Sequence, residues 1–296
     1  MESLNKILWA LRKVRLPVSM DGLVLDVGAG SCPYPRSDVL LDRHVSGEHR
    51  HGAGLVVDRP LVYADALRMP FRDKAFEFVV ASHVMEHIPK PEVFLQELMR
   101  VGKAGYIETP NAIFERMSPY TTHCLEIMSI ENKLVIHKKS DPVQDPFFRD
   151  LQIIVKNKKW KKLFVYDVEM FHVRYFWRDT IQFEIVNPDE QCDWYEIDNP
   201  NKQCNCMEDV FGDDAGLLEK TYSGSGWRGW GLRNLRKYYR WRRRKPIEWL
   251  DILACPECKG ALSCTEDFFV CPPCRRIYRA KPHPNFISYE SSSLLP

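Results

Sequence analysis

Short apolar runs that end in an acid recur along the first third of the chain. Leu23–Asp26 (LVLD) runs into Val-Gly-Ala-Gly, Val39–Asp42 (VLLD) repeats the device, and Leu61–Ala64 leads to Asp65. Phe76–Ala81 (FEFVVA) is followed by Ser82 and His83, and Ala104–Glu108 (AGYIE) is closed by Thr109-Pro110. Continuous apolar runs of this length are the mark of strands buried on both faces. Between the last two, Pro91–Val101 places Val93, Phe94, Leu98 and Val101 at helical spacing. Strands alternating with short crossovers predict an α/β fold around an open, mostly parallel sheet. Downstream the pattern is less regular: Lys133–Lys138 and Leu163–Val168 read as strands, and Thr180–Val186 (TIQFEIV) as an edge or terminal strand. After Asn187-Pro188 it dissolves into a segment rich in acids, Asn, Pro and Gly.

The length of 296 residues and a hydrophobic share of 45% allow one sizeable core plus a smaller unit. The expected division is a main domain over 1–190, a linker or connector over 191–246 and a small domain over 247–290. No apolar stretch reaches the roughly 18–20 residues that span a bilayer, and Met1–Leu16 lacks the build of a signal peptide. A cytoplasmic location is therefore expected. The net charge of +2 conceals a division: residues 226–245 hold nine Lys or Arg and no acid, while 187–220 hold ten acids against two lysines. Opposed blocks of this kind predict either docking within the molecule or a basic contact surface.

The turn after the first apolar run carries the first chemistry. Gly28 and Gly30 lack a Cβ, so the backbone there turns sharply and lets a ligand approach. Asp26 carries a charge suited to organising that loop and the ligand's amino group. One such turn is weak evidence, and an Asp at a strand end is also an ordinary turn cap. The ordered set Asp26, Gly28, Gly30, Asp42, Asp65, Ala66 and Ser82, with the continuation through Phe76–His87, resembles the class I S-adenosylmethionine-dependent methyltransferases of the type 11-like kind. The resemblance covers roughly residues 20–115. It implies a Rossmann-like sheet, mostly parallel with one antiparallel terminal strand. It also implies S-adenosyl-L-methionine as cofactor, with Asp42 accepting from the ribose hydroxyls and Asp65-Ala66 beside the adenine amino group. Pro33 and Pro35 depart from the usual pattern, because they leave a loop or single turn where a crossover helix normally stands. This short crossover resembles those of methyltransferases of sugar and cell-envelope pathways, a resemblance that slightly favours a small-molecule, sugar or lipid-linked glycan acceptor. Pro33 also breaks the GxGxxG of nicotinamide-dependent enzymes.

Methyl transfer is an in-line displacement needing alignment and, for some acceptors, a base. His83, Glu108 and His123 are the candidates for base or acceptor contact. On a helix starting near His83, His87 shares its face, and the two histidines with Glu86 also make a conceivable base pair or metal set. The alternative is that Glu86-His87 before Ile88-Pro89 only fixes loop geometry. No Asn/Asp-Pro-Pro-Tyr/Phe motif follows the fourth strand, which argues against amide or adenine N-methylation.

Cys255-Pro-Glu-Cys258 and Cys271-Pro-Pro-Cys274 form two CxxC pairs, the spacing of a structural Zn site in which every position is a thiolate. Cys264 reads as an ordinary hairpin residue, and Cys204 and Cys206 lack a second pair. The stretch from Trp249 through Tyr278 resembles the zinc-ribbon activator subunit of tRNA, rRNA and release-factor methyltransferases, which implies a ribbon packed on the methyltransferase domain. Between the two, residues 227–245 interleave Arg and Lys with Trp and Tyr. They fit an amphipathic connector, an anionic-membrane contact or an RNA contact. Three functions stay open: a methyltransferase for small acceptors, an RNA-directed methyltransferase, and a non-catalytic scaffold with a degenerate fold.

Overall fold

The computed structural model describes residues 16–44, 54–117, 120, 122–140, 168–192, 226–242 and 246–291. The first strands are β1 (Val24–Val27), β2 (Val39–Asp42), β3 (Leu61–Tyr63), β4 (Phe78–Ser82) and β5 (Ala104–Pro110). They pair in parallel in the order β3-β2-β1-β4-β5. All residues of β1, β2 and β5 are buried, which is why they read as unbroken apolar runs. Strand order reverses at β1, and in sheets of this kind the crevice beyond the carboxyl ends at the reversal is where ligands bind. Helix α1 (Pro91–Val101) links β4 to β5, opening on a proline and burying Phe94, Leu95, Leu98 and Val101.

From β1 to β2 the chain passes through turns with no helix, and a buried arginine organises the space. Arg36 Nη1 donates to Asp38 Oδ2 at 2.7 Å, and Nη2 donates to the carbonyls of Ser19, Met20 and Gly22. Asp38 in turn accepts from the Val24 N–H at 2.8 Å. The guanidinium thus ties the entry to β1 to the entry to β2.

The antiparallel terminal strand expected of the main sheet is β8 (His172–Arg178), paired with β5 from Ala104↔Arg178 to Pro110↔His172, and the expected edge strand Thr180–Val186 is shorter than read. Of the latter only Phe183–Ile185 is a strand (β9), in a separate sheet of β6 (Leu125–Ile130), β7 (Lys133–Lys138) and β9. The alternation in β8, with Val173, Tyr175 and Trp177 buried between Arg174, Phe176 and Arg178, is what an edge strand with one covered face requires. The predicted strand 163–167 lies outside the described residues, and Val168 opens a 3₁₀ turn ending at Phe171. No helix among the described residues is long and apolar enough to cross a membrane.

Helix α2 (Ala112–Met117) follows β5. Beyond the second sheet come α3 (Gly226–Arg242) and α4 (Trp249–Ile252). The chain ends in β10 (Ser263–Cys264), β11 (Phe268–Cys271), β12 (Arg276–Arg279) and β13 (Asn285–Ser291), paired antiparallel in sequence. β13 continues the main sheet, pairing in parallel with β3 at Asn285↔Tyr63, and the Tyr63 N–H donates to the Pro284 carbonyl at 2.8 Å. Ile252, Leu253, Leu262, Phe269, Tyr278 and Phe286 belong to the same hydrophobic cluster as Leu25, Val62, Phe71 and Phe94. The two units therefore share one core, and neither buries its apolar face alone.

A polar clamp reinforces that junction. Glu97 on α1 accepts from the Met69 N–H at 2.7 Å, from Arg100 and from Lys259 Nζ at 3.2 Å. Burial opposes the charge on Glu97, but Arg100 and Lys259 hold its carboxyl below the usual carboxylate range. The stability this group contributes is thus present above its ordinary pKa of 4.5 and lost as pH falls through the depressed folded value. Glu97→Gln is expected to lower stability at neutral pH by on the order of 3 kcal/mol, since two half-buried cations lose their counterion. It should also flatten the acid limb of a plot of melting temperature against pH.

Candidate functional site

The carboxyl ends of β1, β2 and β3 bring the predicted glycines and carboxylates to one rim. Gly28 and Gly30 both adopt left-handed backbone, at φ +65° and +54°, a region that costs an L-residue about 1–2 kcal/mol. Gly28 is constrained twice: a Cβ there would stand 2.2 Å from Val84 Cγ2 in the turn after β4. The N–H groups of Gly28 and Ala29 both donate to the Leu41 carbonyl, pinning the turn against β2. Asp42 Oδ2 accepts from the Gly30 N–H at 3.0 Å and Oδ1 from the His44 N–H at 3.0 Å, so the backbone sets the direction of this carboxylate. Asp26 is turned into the loop: its Oδ2 accepts from the Tyr34 N–H at 2.7 Å and from the Ser37 hydroxyl. Asp65 Oδ1 accepts from the Leu67 N–H at 2.8 Å, while Oδ2 faces Arg43 at 3.5 Å; Ala66 packs on the core beside it.

Ser82, His83 and Glu108 meet at the ends of β4 and β5, where Ser82 and Glu108 are register partners. The Ser82 hydroxyl donates to Glu108 Oε1 at 3.1 Å, and Tyr106 donates to Oε2 at 2.6 Å. Burial and the Glu108 charge keep the Tyr106 phenol protonated. His83 does not start a helix. It sits in left-handed backbone at φ +57° and only a 3₁₀ turn, Met85–His87, follows. The expected stacking of His83 and His87 on one helical face is therefore replaced by two separate environments. His83 lies between carboxylates, with Nδ1 3.3 Å from Glu86 Oε1 and Nε2 3.5 Å from Glu108 Oε1. Burial works against its charge, yet Glu108 and Glu86 outweigh that and raise its pKa to about 9. A ring held as imidazolium is a poor general base near neutral pH, so a simple base role for His83 does not follow from its placement.

His87 and His123 pack against each other, with ring centroids 4.6 Å apart and nearly perpendicular. His87 Nδ1 meets the Thr122 carbonyl at 2.9 Å, and His123 Nδ1 meets Glu115 Oε1 at 2.5 Å. Burial and the neighbouring His123 push His87 down to about 4, so it is neutral. His123 is thus not beside Glu108; it belongs to a second polar group reached through Glu86. Glu86, 1% exposed, accepts from the Thr109 hydroxyl at 3.0 Å, and Glu115 also takes Lys139 Nζ at 3.2 Å. The sequence reading missed Glu115. Its signal was an acid on the inner face of α2, next to Phe114, in a helix capped by Asn111, which accepts from the Phe114 N–H.

The four ribbon cysteines converge. Cys255 Sγ lies 3.9 Å from Cys274 Sγ, Cys258 Sγ 3.5 Å from Cys271 Sγ, and all four sulfurs fall within 4.8 Å of one another. A tetrahedral ion with bonds of about 2.3 Å separates its sulfurs by roughly 3.8 Å, so the spacing fits a zinc-sized ion and is far too long for disulfides. The Gly260 N–H points at Cys258 Sγ at 3.4 Å. Cys264 is exposed and Sγ–H faces the Thr265 carbonyl. Cys204 and Cys206 lie outside the described residues.

Helix α3 lies across the loops beside the glycine turn. Arg236 Nη2 donates to the Pro33 carbonyl at 3.1 Å, Arg240 Nη1 to the Asp58 carbonyl at 2.7 Å, and Arg36 lies over the Tyr239 ring. Its other side leaves Trp230, Tyr238 and Trp241 exposed. An open hollow lined by Phe78, Ala104, Gly105 and Trp177 lies at the amino ends of β4 and β5, away from every predicted site residue.

Comparison with known proteins gives two separate family matches. Residues 43–107 match the family described as methyltransferase domain, and residues 248–280 the family described as Trm112p-like protein. The ajmaline N-methyltransferase of Rauvolfia serpentina is 44% identical over 41 residues, 14% of this chain and 14% of that enzyme. Among solved structures, the complex of the Haloferax volcanii Trm112 methyltransferase activator with a putative methyltransferase aligns at 19% identity over 38% of this chain and 61% of that one, with a TM-score of 0.27. A possible histamine N-methyltransferase from Thermotoga maritima aligns at 18% identity over 39% of this chain and 61% of that one, with a TM-score of 0.29. The chain thus spans about three fifths of these two structures and a small part of the plant enzyme. With one family match running from the end of β2 into β5 and the other on the cysteine-bearing tail, this polypeptide carries a class I S-adenosylmethionine-dependent methyltransferase domain joined to a Trm112p-like domain with a four-cysteine cluster.

Proposed function

We propose that the protein transfers a methyl group from S-adenosyl-L-methionine to an acceptor bound at the carboxyl edge of its main sheet. The observation that carries this is the rim itself. Two left-handed glycines end β1, and Asp42 is oriented by the Gly30 N–H at 3.0 Å. The cofactor supplies the electrophilic methyl on a sulfonium. Gly28 and Gly30 let the backbone approach it, Asp42 accepts from ribose hydroxyls, and Asp65 with Ala66 borders the adenine. Ser82, His83 and Glu108 line the acceptor side, where they orient the incoming nucleophile for in-line attack. Zn in the cysteine cluster completes the ribbon and plays no part in the transfer, because thiolates fill all four positions.

Calorimetry with S-adenosylhomocysteine tests the reading: binding is expected, and no heat or melting shift at millimolar ligand would sink it. Asp42→Ala should weaken that binding by about 1–3 kcal/mol, roughly ten- to hundredfold, since it removes a ligand acceptor and leaves the Gly30 N–H unpaired. Labelled cofactor incubated with cell extract then identifies the acceptor. A small molecule, sugar or lipid-linked glycan is the reading we favour. The loop in place of the first crossover helix supports it, as does the local similarity to an enzyme named ajmaline N-methyltransferase. RNA is the second reading. It rests on the Trm112p-like tail and on the arginine-rich α3, whose exposed Trp230 and Trp241 are suited to stacking on bases. Label appearing in nucleic acid, with salt-sensitive binding to tRNA, would decide for it.

A further inference from the structure

We propose that Glu86, His87 and His123 form a second metal site, which takes a divalent transition ion on two imidazoles and one carboxylate. One ligand atom from each of the three lies within 4.8 Å of the others. Proximity alone is common among buried polar groups. What points to an ion is how each ligand is held from behind.

Histidines that bind metal nearly always use one ring nitrogen for the ion and give the other N–H to a carbonyl or carboxylate, which sets the tautomer and aims the ring. Both rings here show that arrangement. His87 Nδ1 is engaged by the Thr122 carbonyl at 2.9 Å, and His123 Nδ1 by Glu115 Oε1 at 2.5 Å. An ion held in this way would take Nε2 of each ring. Glu115 is itself anchored by Lys139 Nζ at 3.2 Å, so the support extends a further layer. The carboxylate is steadied likewise: Glu86 Oε2 accepts from the Thr109 hydroxyl at 3.0 Å, and its backbone carbonyl accepts from the Cys124 N–H at 2.8 Å. Five elements thus converge on one point: the 3₁₀ turn after β4, the end of β5, α2, the start of β6, and Lys139 after β7.

Two imidazoles with one carboxylate suit Zn²⁺, Co²⁺ or Fe²⁺ better than Mg²⁺ or Ca²⁺, which prefer all-oxygen shells. Three protein ligands leave a coordination position open, in contrast to the closed tetrathiolate of the ribbon. His83, which the sequence reading grouped with His87, is outside this set and meets it at Glu86. The proposal does not depend on methyl transfer, and its test reads metal rather than activity.

The full-length, tag-free protein is equilibrated with buffered zinc and its metal content measured. Two zinc ions per chain are expected in the wild type, and one in the double variant His87→Ala/His123→Gln. One per chain in the wild type overturns the proposal, as does a second zinc that survives in the variant. Should the variant fail to fold, zinc X-ray absorption on the wild type decides. A mixed shell, with Zn–N/O near about 2.0–2.1 Å beside Zn–S near about 2.3 Å, supports the site, and a pure sulfur shell overturns it.

Discussion

Serine at Cys258 and Cys271 is expected to strip zinc from the tail and to destabilise the whole protein, not the tail alone. Zinc-finger peptides draw about 10–16 kcal/mol from a structural zinc near neutral pH, as much as the entire folding free energy of an ordinary domain. Without it the short hairpins β10–β13 have little to hold them, since two pairs of cysteines and a few apolar side chains are their core. The damage spreads because β13 covers the edge of β3, and because Leu253, Phe269 and Phe286 complete the cluster that buries Val62 and Phe71. Losing them uncovers an unpaired strand edge and apolar surface, a recipe for aggregation. The melting temperature should fall by on the order of 10 °C or more, with one zinc per chain lost by elemental analysis and with new binding of a hydrophobic dye. Cys264→Ser is the control: that thiol is exposed and outside the cluster, and its loss should leave melting and zinc content unchanged. A Cys258→Ser/Cys271→Ser protein that melts like the wild type would refute both the zinc and the shared core.

The second large effect is at Gly28. Alanine there meets two obstacles of different kinds. Backbone at φ +65° costs about 1–2 kcal/mol for any L-residue. The new methyl would also stand 2.2 Å from Val84 Cγ2, and a β-branched valine has little rotamer freedom with which to retreat. The turn and the end of β4 must then separate, and with them the rim that Gly30 and Asp42 share. Affinity for S-adenosylhomocysteine should drop by about 3 kcal/mol or more, beyond roughly a hundredfold. Adding Val84→Ala should return the part due to the collision and leave the part due to φ. No rescue at all would mean that the loss comes from the backbone alone. Unchanged affinity in Gly28→Ala would place the ligand elsewhere.

Much of the frame was legible in the chain. Strands buried on both faces leave no polar positions to blur them, so the apolar runs near Val24, Val39, Leu61, Phe78 and Ala104 appear within a residue or two of their true bounds. Glycines at φ above zero and carboxylates at strand ends are demanded by local geometry, which the neighbouring residues already specify. CxxC spacing is likewise local, because each pair bites one ion with its own backbone. What the chain could not disclose is which distant elements meet. β8 does not read as a strand, because Tyr175-Phe176-Trp177 breaks the alternation of residue types, and only its pairing with β5 decides which of these side chains are buried. Nor does spacing decide a partner. His83 and His87, four apart, would share a face on a helix, yet the chain turns left-handed at His83, which places its ring between Glu86 and Glu108 while the His87 ring meets the Thr122 carbonyl. His123 joins His87, and Lys259 reaches Glu97, because the packing of whole elements sets those distances. Short-range chemistry was written in the order of residues; long-range pairing was settled only when one core had to bury the apolar faces of both units together.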